Sequence, residues 1–291
     1  MTTHQKSVLA TALALATFGL AASAPANAGL LTIRLTNPNA GTSYVCQDNA
    51  ACDTNSAANS LTVNATLANV ALGNSIFDIN NIGASSNFFG GDPLSAIITA
   101  SGGIIANSRS PGLSPLIIEI SQTGWNKPAD LTRTLFQGPT TGFTNSGLGD
   151  YMLFHAFSDQ ADLLFAGNSA TGSPNAGDLP AGAADDFVTP EVRFLASAGD
   201  PDCLPPAGQL QNCNGNSKLM AFNQSNPYSL TQRLVFQVGD SPVANAFNRI
   251  DFTTAMSEFS EAANGVPEPG TLPLMALGVL GVAAMARRNK T

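Results

Sequence analysis

The chain has 291 residues and a mass of 29.8 kDa, room for one large or two small domains. Hydrophobic residues make up 44%, which argues against wholesale disorder, while charged residues make up only 11%, against about 25% in an average soluble chain. With 12 basic residues against 20 acidic ones and no basic block in the central region, nucleic acid is not an expected partner.

Residues 1–28 have the three parts of a secretory signal peptide. Lys6 and the amino terminus give the positive start, Val8 to Ala22 is an uncharged Ala/Leu-rich run, and Ala26-Asn27-Ala28 ends it with small residues. A signal peptidase is expected to cut before Gly29. The run is short for a membrane span, which needs to cross about 30 Å of hydrocarbon.

The body that follows, to about residue 265, carries eight basic residues, and 19 of the 20 acidic residues precede Glu268, so its charge is near −11. Its hydrophobic pattern has period two. Leu31, Ile33 and Leu35 alternate with Thr32, Arg34 and Thr36, and Leu61, Val63, Ala65 and Leu67 alternate with Thr62, Asn64 and Thr66. Leu116, Ile118 and Ile120 share one face; so do Leu230, Leu234, Phe236 and Val238, with Gln232 interrupting. Shorter apolar runs at 96–99, 151–157, 163–166, 191–195 and 219–222 are further expected strands. Clusters such as Asn37-Pro38-Asn39, Gly90-Gly91-Asp92-Pro93, Gly102-Gly103 and Ser110-Pro111-Gly112 separate them. The expected fold is mainly β, an antiparallel β-sandwich of jelly-roll type. One helix is expected, at about Thr253 to Ala263. Gly138–Asp150, Gly167–Asp186 and Gly199–Ser217 are expected to be irregular.

Four cysteines lie in this body, Cys46 and Cys52 close together, and Cys203 and Cys213 likewise. In an oxidising compartment an even number implies disulfides. Of three connectivities the local one, Cys46–Cys52 and Cys203–Cys213, is preferred because each pair sits in one turn-rich loop. Neither spacing suits zinc, so no metal or other cofactor is expected.

Catalytic material is sparse. His155 is the one histidine of the body and falls on a strand face with Tyr151, Leu153 and Phe157. It reads first as a packed side chain. As a general base it would need a serine and Asp159 or Asp162 as orienter, and no nucleophile-elbow motif accompanies it. Asp185, Asp186 and Glu191, and Asp200 with Asp202, are candidate calcium ligands by chemistry but read better as solvated loop carboxylates. Trp125, the single tryptophan, follows the strand expected at Leu116 to Ile120 and is a candidate ligand contact for a sugar ring; the plainer reading folds it over the sandwich edge.

The C-terminus carries the most specific signal. Val266-Pro267-Glu268-Pro269 precedes an uncharged run to Ala286, then Arg287, Arg288 and Lys290 close the chain. Pro269 to Ala286 is 18 residues, about 27 Å as a helix, enough for a thin bilayer. A transmembrane helix is expected at about 271–286, with the basic end left in the cytoplasm.

This tail resembles the PEP-CTERM sorting signal of Gram-negative bacteria that make extracellular polysaccharide. The resemblance rests on Pro267, Glu268 and Pro269 for the motif and on Arg287 and Arg288 for the basic end, and it covers about residues 266–291. It implies an exported precursor held transiently in the inner membrane and processed by an exosortase. The expected organisation is a signal peptide at 1–28, a secreted β-rich domain at 29–265 and a sorting signal at 266–291. The expected function is a non-enzymatic surface or matrix protein, with extracellular polysaccharide as a candidate partner. The alternative is a secreted hydrolase whose site the sequence does not reveal.

Overall fold

The computed structural model of the chain describes residues 29–73, 77–88, 94–106, 114–129, 132–144, 150–160, 162, 164–165, 186–195, 203–204, 210–238 and 248–260. The leader expected at 1–28, the tail expected at 266–291 and its helix at about 271–286 lie outside the described residues.

Two antiparallel sheets face each other. Sheet I holds β1 (Thr32–Asn37), β2 (Thr42–Gln47), β6 (Ser114–Trp125), β8 (Tyr151–Asp159), β9 (Asp186–Val188), β10 (Val192–Leu195) and β14 (Tyr228–Val238). Their order is β10-β8-β14-β6-β1-β2, with β9 also on β8. Sheet II holds β3 (Ser60–Thr62), β4 (Phe77–Ser86), β5 (Ser95–Ala106), β7 (Thr132–Thr144), β11 (Cys203–Leu204), β12 (Leu210–Asn214), β13 (Ser217–Asn223) and β15 (Asn248–Ser260). Their order is β11-β12-β7-β15-β5-β4-β3, with β13 also on β7.

The alternation sets which side chains meet between the sheets. Ile33 and Leu35 of β1, Ile118 and Ile120 of β6, and Leu234 and Phe236 of β14 turn inward and are buried. They meet Ile98 and Ile104 of β5 and Phe252 and Met256 of β15 in one core. The Phe236 and Phe252 rings lie 5.3 Å apart across the gap. Gln232, the polar break in β14, also points inward, and its Nε2 donates to Ile98 O at 2.8 Å. A buried amide is tolerated there because it has a partner on the facing sheet.

Several expectations are corrected. Thr253 to Ala263 is not a helix in its described part: Asn248–Ser260 is the strand β15, with Phe252, Thr254, Met256 and Glu258 buried on one face. Leu61 to Leu67 is not one strand. β3 ends at Thr62, and the Asn64 side chain accepts from Leu67 N at 3.2 Å, capping the helix α1 (Ala65–Ala71). The irregular segment expected at Gly138–Asp150 is strand as far as Thr144. Within Gly199–Ser217, β11 and β12 form, whereas the described Leu164 and Phe165 lie in a turn instead of a strand.

Gly102-Gly103 is not a turn; it lies inside β5, opposite a register shift in β4 between Ile79 and Asn81. A Cβ on Gly102 would stand 2.7 Å from the Phe252 ring and 2.8 Å from Asn81 O. Glycine in a strand interior here marks close approach, not chain reversal.

Candidate functional site

Trp125 ends β6 opposite Tyr228 of β14 and has no exposed surface. Phe88 meets it edge to face, ring centroids 5.0 Å apart, and the Lys127 ammonium lies 5.8 Å from its centroid. The candidate ligand contact at Trp125 is therefore corrected: both neighbours cover the ring, which belongs to the core, and no face is open to a sugar.

Beside it, the sandwich interior is polar. Arg133 on β7 and Glu258 on β15 are fully buried and pair at 2.8 Å. Arg133 also donates to Pro128 O at 2.9 Å and to Asn226 Oδ1 at 2.6 Å, and its guanidinium lies 4.5 Å from the Tyr228 ring centroid. Ser158 Oγ stands 2.5 Å from both Glu258 Oε2 and Gln224 Oε1. A hydroxyl has one proton and cannot donate to both. Gln224 Nε2 is without a partner, so turning that amide over lets it donate to Ser158, which then donates to Glu258. Burial pushes the Glu258 carboxyl above the usual carboxylate range, against the pull of Ser158 and Arg133, and pushes the Tyr228 phenol well up. Arg133, Ser158, Gln224 and Glu258 are buried, and their network ties β7, β8 and β15 together.

The outer face of sheet I carries a row of charge. In register across four strands stand Arg34, Glu119, Arg233 and His155. Arg34 Nε meets Glu119 Oε2 at 2.5 Å, and the Arg34 guanidinium lies 4.2 Å from the Phe165 ring centroid. His155 is buried, with Nε2 3.4 Å from Glu191 Oε2. Burial lowers its pKa, and Arg233 adds to that; Glu191 and the Thr189 backbone oppose it.

The general-base reading of His155 loses its orienter. Asp159 follows four residues along the same face, about 13 Å away at strand rise. Asp162 Oδ1 instead accepts from Gly124 N at 2.6 Å, and burial holds that carboxyl above its ordinary range. Of the calcium candidates, Asp185, Asp200 and Asp202 lie outside the described residues, Asp186 opens β9 opposite Asp159, and Glu191 faces His155. Among the described residues no three His, Cys, Asp or Glu side chains gather to hold a metal.

Cys46 and Cys52 are bridged, Cα atoms 5.7 Å apart. Around that loop Asp53 Oδ1 accepts from Asn55 N at 2.8 Å and Thr62 N at 2.9 Å, which fixes the turn into β3. Cys203 and Cys213 stand opposite each other in the β11–β12 register, a placement compatible with disulfide Cα separations.

One feature that the sequence reading missed is a groove of about 290 Å³ on the outer face of sheet II, over β3, β4 and β5. Ser60, Thr62, Ser85, Thr99, Ser101 and Thr253 line it, with Gly83 between, and no charged side chain takes part. Ser85 Oγ and Thr99 Oγ1 lie 2.8 Å apart. Its signal in sequence is hydroxyls at the outward positions of alternating strands, a pattern shared with any solvated sheet face.

Beyond β15 the sequence runs through six residues to Pro267-Glu268-Pro269 and the apolar stretch. Residues 265–288 match the PEP-CTERM protein-sorting motif. Pro267, Glu268, Pro269, Arg287 and Arg288 all fall inside the match, and Lys290 lies just past it. The PEP-CTERM segment is the tail alone; the match does not extend to the sandwich. No curated protein matches the chain.

Three solved structures are similar in part. One is TmCBM61 in complex with beta-1,4-galactotriose, at 10% identity and TM-score 0.24, covering 62% of this chain and 88% of that one. Another is from a study of carbohydrate-binding modules of the beta-sandwich superfamily, at 8% identity and TM-score 0.25, covering 72% and 65%. The third is the enzymatically active domain of bacteriophage CBA120 tailspike protein 4, at 10% identity and TM-score 0.23, covering 62% and 19%. At such scores these likenesses carry no argument about ligand or activity.

Proposed function

We propose that the chain is an exported surface or extracellular-matrix protein, non-enzymatic in its body and associated with extracellular polysaccharide. The leader is removed before Gly29, the apolar tail at about 271–286 holds the precursor in the inner membrane, and an exosortase processes it at the PEP-CTERM segment. The observation that carries this reading is the motif match at 265–288, placed directly after the last strand. The motif implies an exported precursor anchored in the membrane.

The non-enzymatic reading of the body is supported by where its reactive groups go. His155 packs against Glu191, Ser158 is sealed in the interior, and Trp125 is core. A polysaccharide partner is supported by the body's composition: the outward strand positions carry Ser, Thr and Asn more often than charge, a surface that exchanges hydrogen bonds with neutral hydroxyls. Changing Pro267-Glu268-Pro269 to three alanines tests the sorting step, because proline keeps the segment extended and alanine lets the helix run outward. The altered precursor accumulates in the inner membrane; normal release refutes the role of the motif. Purified body applied to glycan arrays and chromogenic glycosides binds without turnover, and turnover lost in His155→Ala moves the reading to a hydrolase.

A further inference from the structure

The two ends of the sandwich differ. One end collects the last residues of β6, β8 and β15: Ser158 meets Glu258 there, and Ser260 N donates to Leu94 O at 3.3 Å. Gln122 near the end of β6 donates from Nε2 to Gly29 O at 2.8 Å. The first and last residues described in the body, Gly29 and Ser260, thus leave from the same end. Leu30, Leu94 and Leu164 also lie at this end, 46%, 45% and 36% exposed, three of the six large apolar side chains exposed among the described residues. Leu164 is placed there by its turn, since Asp162 accepts from Gly124 N and Phe165 N donates to Ser121 Oγ at 3.1 Å. The opposite end carries the β1–β2 turn, residues 38–41.

The chain between Ser260 and Pro267 is short. Seven Cα steps reach about 25 Å at full extension. β15 alone has 13 residues, about 43 Å at strand rise, so the far end of the sandwich lies beyond the tether's reach. The body's charge near −11 is repelled by anionic lipid, which disfavours laying a broad face on the membrane. The far end also bears exposed apolar side chains, Leu67 and Val70 of α1, whose C-terminal end is held there where Thr42 Oγ1 donates to Leu72 O at 2.8 Å, so it is the reach of the tether that decides which end faces the lipid.

We infer that in the membrane-held precursor the Gly29/Ser260 end is apposed to the lipid surface, with Leu30, Leu94 and Leu164 toward the headgroups, and that the β1–β2 turn points away. This rests on the sorting reading above, because only a tail held in the bilayer brings the surface within reach. The hydroxyl groove of sheet II then stands upright on the flank, open to the extracytoplasmic space.

Trp125 sits at this end and is the chain's single tryptophan, so it serves as a native height gauge. Precursor 29–291 is reconstituted in liposomes containing a dansyl-headgroup lipid, and energy transfer from tryptophan is measured. Two further chains are compared. One carries about 20 Gly/Ser residues after Ser260, a flexible coil of about 25 Å r.m.s.. The other moves the reporter to the exposed far turn, as Ala40→Trp with Trp125→Phe. The native chain is expected to transfer several-fold more than the Ala40→Trp reporter, and the insertion is expected to lower the transfer. Equal or greater transfer from Ala40→Trp, or transfer unchanged by the insertion, overturns the orientation. The insertion arm keeps the native tryptophan and decides even where Trp125→Phe fails to fold. Flotation separates the two readings: a chain that does not float with the liposomes refutes the held tail and this inference with it, whereas a floating chain with the far turn close to lipid refutes the orientation alone.

Discussion

Arg133 and Arg249 show how burial decides what an ion pair is worth. Arg133 and Glu258 have no exposed side-chain surface, and each makes further hydrogen bonds. Removing one partner leaves a buried charge, so Arg133→Ala is expected to cost about 3–5 kcal/mol in urea unfolding. Arg249 pairs with Asp251 at 2.8 Å but is about half exposed, and Arg249→Ala is expected to leave the midpoint where it is. Equal losses in the two variants contradict this account. His155 gives a pH signature. Its folded pKa is depressed by burial, so the unfolded chain takes up the proton first, near pH 6.5. The stability held above about pH 6.5 is lost as pH falls toward the folded value. Because His155 is the sole histidine of the body, His155→Gln should flatten the stability profile of the purified body between about pH 7 and 5; an unchanged profile refutes it. Sequence placed His155 correctly on its strand face, but not Glu191 beside it, since their contact joins β8 to the approach of β10.

At the scale of elements, strands with unbroken alternation were legible and those with breakers were not. β1, β6 and β14 follow their hydrophobic pattern. β7 did not show itself because Gly138, Pro139 and Gly142 suggest a loop. Pro139 is tolerated because it stands where β7 changes partner from β12 to β13, opposite the Gly215 junction, whose N donates to Pro139 O at 3.1 Å. β15 was hidden by residues of good helix propensity, Ala255, Met256 and Glu258, overruled by pairing with β5 and β7 along its whole length. The glycine in β5 makes a direct test. Gly102→Ala is expected to destabilise by about 1–3 kcal/mol, because its Cβ meets a backbone oxygen and a packed ring. Gly83→Ala, whose nearest neighbour is 3.3 Å away, is expected to cost less, and the reverse order in denaturation contradicts the close-approach reading. Non-reducing peptide mapping is expected to join Cys203 to Cys213, as their register allows; a peptide joining Cys46 to Cys203 refutes both local pairings.

For the molecule as a whole, the sorting motif was legible at the terminus, whereas the groove in the body was not. The PEP-CTERM pattern needs three parts in linear order, so sequence alone displays it. The groove on the outer face of sheet II is assembled from outward side chains of strands far apart in the chain. Ser60, Ser85, Thr99 and Thr253 look like ordinary solvated residues until the sheet brings them together. Trp125 was ambiguous for the related reason that a strand-end aromatic reads the same whether covered or open, and here Phe88, distant in sequence, covers it, as the plainer reading expected. Everything proposed for the tail turns on whether the PEP-CTERM segment is a processing signal. Intact mass of the protein recovered from a host with the matching exosortase, beside an exosortase-null strain, decides this. Residues through Arg287 and Arg288 are expected to be missing from the mature protein in the first strain and present, in the inner-membrane fraction, in the second; retention of Arg287 and Arg288 in both refutes processing.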